Sequence, residues 1–267
     1  MNDKKRKVNL SMKKIIVLLS FILLVPFMAK SQVSVLDETV FLNRFIGVTA
    51  GVGLISYTGS VSFYADKVNC EPYRFNSKSG SEINLLFGLK AEWKISKHFD
   101  FCTSLLYEDR SAKFDSRNFT EPVYVDDERP LELASFKQEL NAKINIFSVS
   151  PMVKYKPFDF DIGILVGLSF AFIISDELDA KQSILEPAEL FFGGIGGREG
   201  TIYTGEIESK NSLLLDLKFG LGYSFMLTKQ IKLSPEIFYV LPLMRVNSVD
   251  NWKISSIQFL ISCSYGF

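Results

Sequence analysis

The chain has 267 residues, 30 basic and 30 acidic, and is formally neutral. Its charge is unevenly placed: beyond Ser31 there remain 23 basic and 29 acidic residues, a net of −6. That excludes a nucleic-acid partner, which needs a basic surface, and one histidine with no CxxC excludes a Cys/His metal centre.

The first 31 residues read as an export signal. Lys4, Lys5, Arg6, Lys7, Lys13 and Lys14 precede an apolar run from Ile15 to Met28, which is interrupted by Ser20 and Pro26. Those 14 residues fall short of the roughly 20 of a spanning helix and suit a signal-peptide core. Ala29-Lys30-Ser31 has the small-x-small form of a cleavage site, placing the mature start at Gln32, and no cysteine follows for a lipid anchor. Met12, followed by Lys13-Lys14, is an equally readable start. Residues 32–43 are then a short periplasmic segment, and 44–267 the folded domain.

Eight segments of that domain alternate apolar and polar residues with the period of a strand. The first, Ile46 to Tyr57, is glycine-rich; Ile83 to Ile95 and Phe99 to Tyr107 follow, joined by Ser96-Lys97-His98. The fourth segment breaks phase. Its apolar residues are even-numbered at Leu140, Ala142, Ile144 and Ile146, then odd-numbered at Val149, Val153 and Tyr155. A β-bulge near Phe147 or Ser148 is the expected remedy. After Lys156-Pro157, Phe158 to Ile174 places Phe158, Phe160, Ile162, Ile164, Val166, Leu168, Phe170 and Phe172 on one face. Leu213 to Phe225 alternates most clearly; Ile231 to Leu243 follows Thr228-Lys229, and the last strand carries Ile257, Phe259, Ile261, Cys263, Tyr265 and Phe267 on one face. Pro151 and Pro235 fall inside expected strands, where proline supplies no ladder donor.

Short and long connections alternate. The long ones cover about residues 62–82, 109–137 and 175–211, with a shorter one at 244–252. This is the arrangement of an all-β, antiparallel up-and-down transmembrane barrel, with short turns and both termini periplasmic and long loops outside. Eight strands are expected, or ten if Thr201 to Ile207 hides a hairpin.

The polar faces hold Gly51, Gly53, Gly88, Gly163, Gly167, Gly220 and Gly222, small enough for a cramped interior. Lys90, Glu92, Asp216, Lys218 and Glu236 share those faces and point inward, so they are expected to pair and plug the lumen. Phe87, Trp93, Phe101, Tyr107, Tyr155, Phe158, Tyr223 and Tyr239 lie opposite, several near strand ends where an interfacial aromatic girdle belongs. Cys70, Cys102 and Cys263 are an odd set. Cys263 belongs to the apolar face and Cys102 to the polar face of a distant strand, so both read as small packed thiols.

Ala29-Lys30-Ser31-Gln32, the hairpins Trp93 to Phe101, Tyr155 to Asp161 and Phe225 to Leu233, and the terminal Ser264-Tyr265-Gly266-Phe267 resemble the small outer-membrane β-barrels of Gram-negative bacteria, the OmpA-like and PorT-like barrels. The resemblance implies an outer-membrane location, contact with membrane lipid and lipopolysaccharide, and recognition by the barrel-assembly machinery. Phe259, Ile261, Tyr265 and Phe267 look like that machinery's carboxy-terminal signal. Members of the family serve as structural proteins, adhesins, narrow pores, secretion accessories or lipid-modifying enzymes, so the family leaves function open.

Other motifs carry no chemistry. Gly193-Gly194-Ile195-Gly196-Gly197 lacks the following Gly-Lys-Ser/Thr of a phosphate cradle. Asp126-Asp127-Glu128 is a run rather than a converging set of cation ligands. His98 sits in a short periplasmic turn, across the membrane from the outer leaflet on which a serine-type lipid hydrolase would act. The chain therefore reads as a cofactor-free, non-enzymatic barrel with a structural, surface-binding or secretion-accessory role exerted through its loops or wall; a narrow pore is the alternative.

Overall fold

The computed structural model describes residues 44–63, 73–77, 81–114, 117–123, 132–157, 161–192 and 197–267. The expected signal, Ser31, Gln32, residues 32–43, Cys70, Asp126-Asp127-Glu128, Phe158 and most of the glycine run at 193–197 lie outside them.

Thirteen strands form among the described residues: β1 (Arg44–Phe63), β2 (Tyr73–Ser77), β3 (Ser81–Lys94), β4 (Phe99–Asp109), β5 (Ala112–Lys113), β6 (Arg117–Val123), β7 (Glu132–Tyr155), β8 (Ile162–Glu186), β9 (Glu199–Gly205), β10 (Leu213–Tyr223), β11 (Phe225–Met226), β12 (Ile231–Pro242) and β13 (Lys253–Gly266). Eight of them, β1, β3, β4, β7, β8, β10, β12 and β13, each pair antiparallel with the next, and β13 closes on β1 through Phe45 opposite Gly266. The result is an eight-strand up-and-down ring.

The outer wall is apolar. Along β8 the outward side chains run Ile162, Ile164, Val166, Leu168, Phe170 and Phe172, a span of eleven residues, and along β7 the belt ends at Phe147. Crossing a bilayer takes about 9–11 strand residues. Phe87, Trp93, Phe101, Tyr155 and Tyr239 are exposed on this wall. A soluble barrel would leave such a wall facing water, so the belt argues for lipid.

Glycines let the ring curve tightly. A Cβ on Gly51 of β1 would lie 1.8 Å from the Phe259 carbonyl oxygen of β13, and one on Gly88 of β3 would lie 1.9 Å from that of Leu105 on β4. Small inward residues were expected for want of room. The tighter constraint is the neighbouring backbone, which folds over the strand at these seams. The prolines sit at interrupted ladders. The β7–β8 pairing skips from Val149 to Met152 around Pro151, and Pro235 lies where β10 gives way to β11.

Three expectations need correction. First, β7 has no bulge at Phe147 or Ser148, and its even-numbered residues face inward from Ala134 to Lys154. The extra residue is Ile174 on the facing strand, since Asn145 pairs with Ser175 and Ile146 with Ile173. What changes near residue 147 is the chemistry of the lumen, from apolar above to polar below. Second, residues 109–137 and 175–211 are largely strand rather than loop. β7 and β8 continue past the belt with outward Asn145, Lys143, Asn141 and Glu139 facing Ser175, Glu177, Asp179 and Lys181. Third, the strand near Thr201 exists as β9, but it pairs with Leu178 to Ser183, above the point where β10 pairs with β8, and stays outside the ring. Eight staves therefore surround the lumen.

Candidate functional site

The mouth at the short-turn end is polar. A cavity of about 80 Å³ opens there, lined by residues that include Phe45, Glu92, Asp100, Lys154 and Lys232. Lys232 donates to Glu92 and stands 3.9 Å from the centre of the Phe45 ring. Lys156 pairs with Asp100 at 2.8 Å, and Lys154 donates to Ser224 at 2.7 Å. Further in, Lys90 pairs with Glu236, and Lys218 stands 4.6 Å from the centre of the Phe238 ring. Around them Leu86, Cys102, Leu106, Met152, Leu165 and Leu260 pack as one cluster with Phe238.

Higher still, Arg110 bridges two carboxylates, Asp216 at 2.9 Å and Glu108 at 3.1 Å. Glu108 also accepts from Ser148 at 2.6 Å and from Gln258 at 3.0 Å. Among the described residues, Lys90, Arg110, Lys154, Lys218 and Lys232 are buried in the lumen beside Glu92, Asp100, Glu108, Asp216 and Glu236, with the partly exposed Lys156 added at the mouth as the partner of Asp100. An unpaired charge there would cost several kcal/mol, so balance is what burial demands.

Above the ion layers the lumen is apolar. Tyr57, Phe114 and Trp252 meet with ring centroids 5.2–5.6 Å apart, and Leu140, Ile144, Ile146, Leu214 and Ile254 pack around them. The Tyr57 hydroxyl donates to the Arg110 carbonyl, tying this cap to the ions below.

Outside the belt, β6, β7, β8 and β9 form an open four-stranded sheet. Its inner face continues the cap through Ala142, Leu178 and Ala180, and ends at the tip with Ala134, Phe136 and Ile184 against Phe119, Leu190 and Phe192. Its outer face is charged. Lys143 pairs with Glu177 at 2.9 Å, a hydrogen bond that raises the pKa of the ammonium above the ordinary lysine value. The connections are tied down: Asp176 accepts from the Ile207 amide and from Lys210, both at 2.7 Å, while Asp250 accepts from the Ser62 and Asn247 nitrogens at 2.9 Å.

All five lumen charges expected from the sequence, Lys90, Glu92, Asp216, Lys218 and Glu236, are buried inside the barrel. Asp100, Glu108, Arg110, Lys154 and Lys232 join them and were not singled out, although each is even-numbered like the buried residues of the strand it lies in or adjoins. The expected strand stopped at Tyr107, which left Glu108 just beyond it and put Arg110 in the expected loop. Of the terminal residues, Ile261, Tyr265 and Phe267 face outward and are exposed, and Phe259 lies on the same outer face, half-buried. Cys102 is buried and Cys263 exposed, both as free thiols.

A closed eight-strand ring with a lipid-facing belt, an ion-paired lumen and short turns at one end defines a transmembrane outer-membrane β-barrel. Residues 31–247 match the family of outer membrane protein beta-barrel domains, and the chain belongs to that family; it resides in the bacterial outer membrane. No curated protein matches. Solved structures with some likeness include Ail, the attachment invasion locus protein of Yersinia pestis, at 11% identity over 85% of this chain and 100% of Ail, with a TM-score of 0.35. OprG of Pseudomonas aeruginosa shares 11% identity over 85% of this chain and 96% of OprG, at 0.37. The Escherichia coli protease OmpT shares 9% over 86% of this chain and 100% of OmpT, at 0.29. Scores this low carry no argument about function.

Proposed function

We propose that this barrel is a non-conducting surface protein whose working part is the sheet that β6 to β9 raise above the membrane. The observation that carries this is the sealed lumen: paired charges below, and a packed cap of Tyr57, Phe114 and Trp252 above. Eight strands leave an interior just wide enough for side chains, and here side chains fill it. β7 and β8 extend about a dozen residues past the belt, roughly 40 Å of strand, with their inner face anchored on that cap. A rigid, charged platform is suited to holding a partner outside the cell. The reading assigns no catalysis: His98 lies exposed in a periplasmic turn, its Nδ1 3.0 Å from the Lys156 carbonyl oxygen.

The test is a planar-bilayer recording of refolded protein in molar salt. Silence is expected; steady single-channel steps would overturn the reading and restore the narrow pore. We further propose, from the exposed Tyr265 and Phe267, that assembly machinery reads this strand. Deleting Phe267 should lower the yield of assembled barrel in cells while leaving refolding in detergent intact.

A further inference from the structure

The charges at the short-turn end do not all find partners. Lys232 pairs with Glu92 and Lys156 with Asp100; deeper in, Lys90 takes Glu236, and Arg110 takes both Glu108 and Asp216. Those pairs use every buried carboxylate of the lumen among the described residues. Two buried lysines are left over. Lys218 rests against the face of Phe238, a favourable seat for an ammonium. Lys154 has no such seat. It is 1% exposed, it lines the mouth cavity, and among the described residues its ammonium donates to the Ser224 hydroxyl alone, at 2.7 Å. A neutral hydroxyl is a poor counterpart for a buried cation, which needs an opposite charge.

A second group in the same cavity is incomplete in the opposite sense. Glu92 is 3% exposed and also lines it. Its Oε1 accepts from Lys232, but its Oε2 is buried without a hydrogen-bond donor. The cavity therefore offers a cation that wants a negative oxygen and a carboxylate oxygen that wants a proton. A metal cation would suit Glu92 and repel Lys154. Water would donate to Glu92 and bring Lys154 no charge. A phosphate group that still carries a proton does both, accepting through its P–O⁻ oxygens and donating through its P–OH. The cavity of about 80 Å³ has room for one such group, being the bulk of about two or three waters at about 30 Å³ each.

We propose that the mouth at the short-turn end binds a protonated phosphate group, either free phosphate or the phosphate monoester of a lipid. Lys154 holds the anionic oxygens, and Glu92 Oε2 accepts from the P–OH. Glu92 also sets the selectivity: a fully ionised anion of the same shape meets its charge with no hydrogen between them. The site lies at the end opposite the projecting sheet, so it stands or falls apart from the surface-binding reading.

The probe is inorganic phosphate, titrated calorimetrically onto the full refolded barrel in detergent at about pH 6, where phosphate keeps a P–OH. Saturable binding is expected. Sulfate, of the same shape but without a proton, should bind about tenfold or more weakly, the loss of one hydrogen bond to a charged group. K154M should weaken phosphate by about tenfold or more, and E92Q should bring sulfate level with phosphate. Both variants are checked for folding by their heat-dependent gel shift, and the comparison of phosphate with sulfate on the unaltered chain needs neither. Repeating the titration in phosphatidylcholine vesicles that contain phosphatidic acid separates the two sources. Loss of the phosphate heat there assigns the site to the lipid, and its persistence assigns it to free phosphate; either upholds the proposal. No saturable binding, equal affinity for sulfate and phosphate, or unchanged phosphate affinity in a folded K154M would each overturn it.

Discussion

Replacing Arg110 with methionine tests the lumen directly. Arg110 is 2% exposed and holds Asp216 at 2.9 Å and Glu108 at 3.1 Å. Methionine keeps much of the side-chain length and removes the charge, leaving two carboxylates facing each other in a dry interior. Breaking a buried pair from one side costs about 3–5 kcal/mol. Here one cation serves two anions, so the upper half of that range is expected. Glu108 retains its bonds from Ser148 and Gln258, which soften the loss without cancelling the charge. The assay is urea unfolding of the barrel in lipid vesicles, followed by tryptophan fluorescence. A companion triple variant, E108Q/R110M/D216L, removes the whole ion cluster and should recover most of the lost stability, since replacing a buried ion cluster as a unit is often close to neutral. The exposed Lys143, changed to methionine, should give no measurable change. If R110M costs less than about 1 kcal/mol, or the triple variant is no better than the single, the charges are solvated. The lumen is then wet, and the argument for a sealed barrel fails.

Trp252→Ala should cost about 3–5 kcal/mol by emptying the cap, yet leave the barrel silent in bilayers, because the ion layers below remain; current through this variant would show that the cap alone is the seal. Gly51→Leu should abolish the heat-dependent gel shift, since its Cβ would collide with the Phe259 carbonyl at 1.8 Å, whereas Gly200→Leu, with its nearest contact at 3.5 Å, should assemble normally. Hydrogen bonds to Asp176 and Glu206 raise the Lys210 pKa above the usual lysine value. The tie it makes is therefore fully present below the unfolded lysine pKa and lost as pH rises through the folded one. Amide exchange at Ile207, corrected for intrinsic base catalysis, should accelerate in that alkaline window and not near neutrality.

Much of the wall was legible because a membrane barrel repeats one rule: apolar and polar residues alternate along each stave. Leu213 to Tyr223 and Ile162 to Phe172 announce their outward faces by that rule. Lys90, Glu92, Asp216, Lys218 and Glu236 followed from parity alone, because period two leaves a strand residue one face or the other. The rule failed where the lumen changed character. At Leu140 to Ile146 the inward set is apolar and the outward set is polar, so parity was misread as a phase break. Nor could alternation foresee β7 and β8 running past the membrane, since Lys137, Glu139 and Lys143 look like loop residues until their partners across the ladder are known.

The sequence by itself determined the outer face, the inward charges and the end at which the turns are short, because these depend on local period and composition; whether eight or ten staves close the ring was settled only by where β9 pairs. Tertiary structure decided which charge meets which. Lys90 and Glu236 are 146 residues apart, Gln258 and Glu108 150, and only the closure of β13 on β1 brings such groups into one lumen. Closure also decides where the lumen turns from polar to apolar. These are properties of register between distant strands, and no single strand carries them.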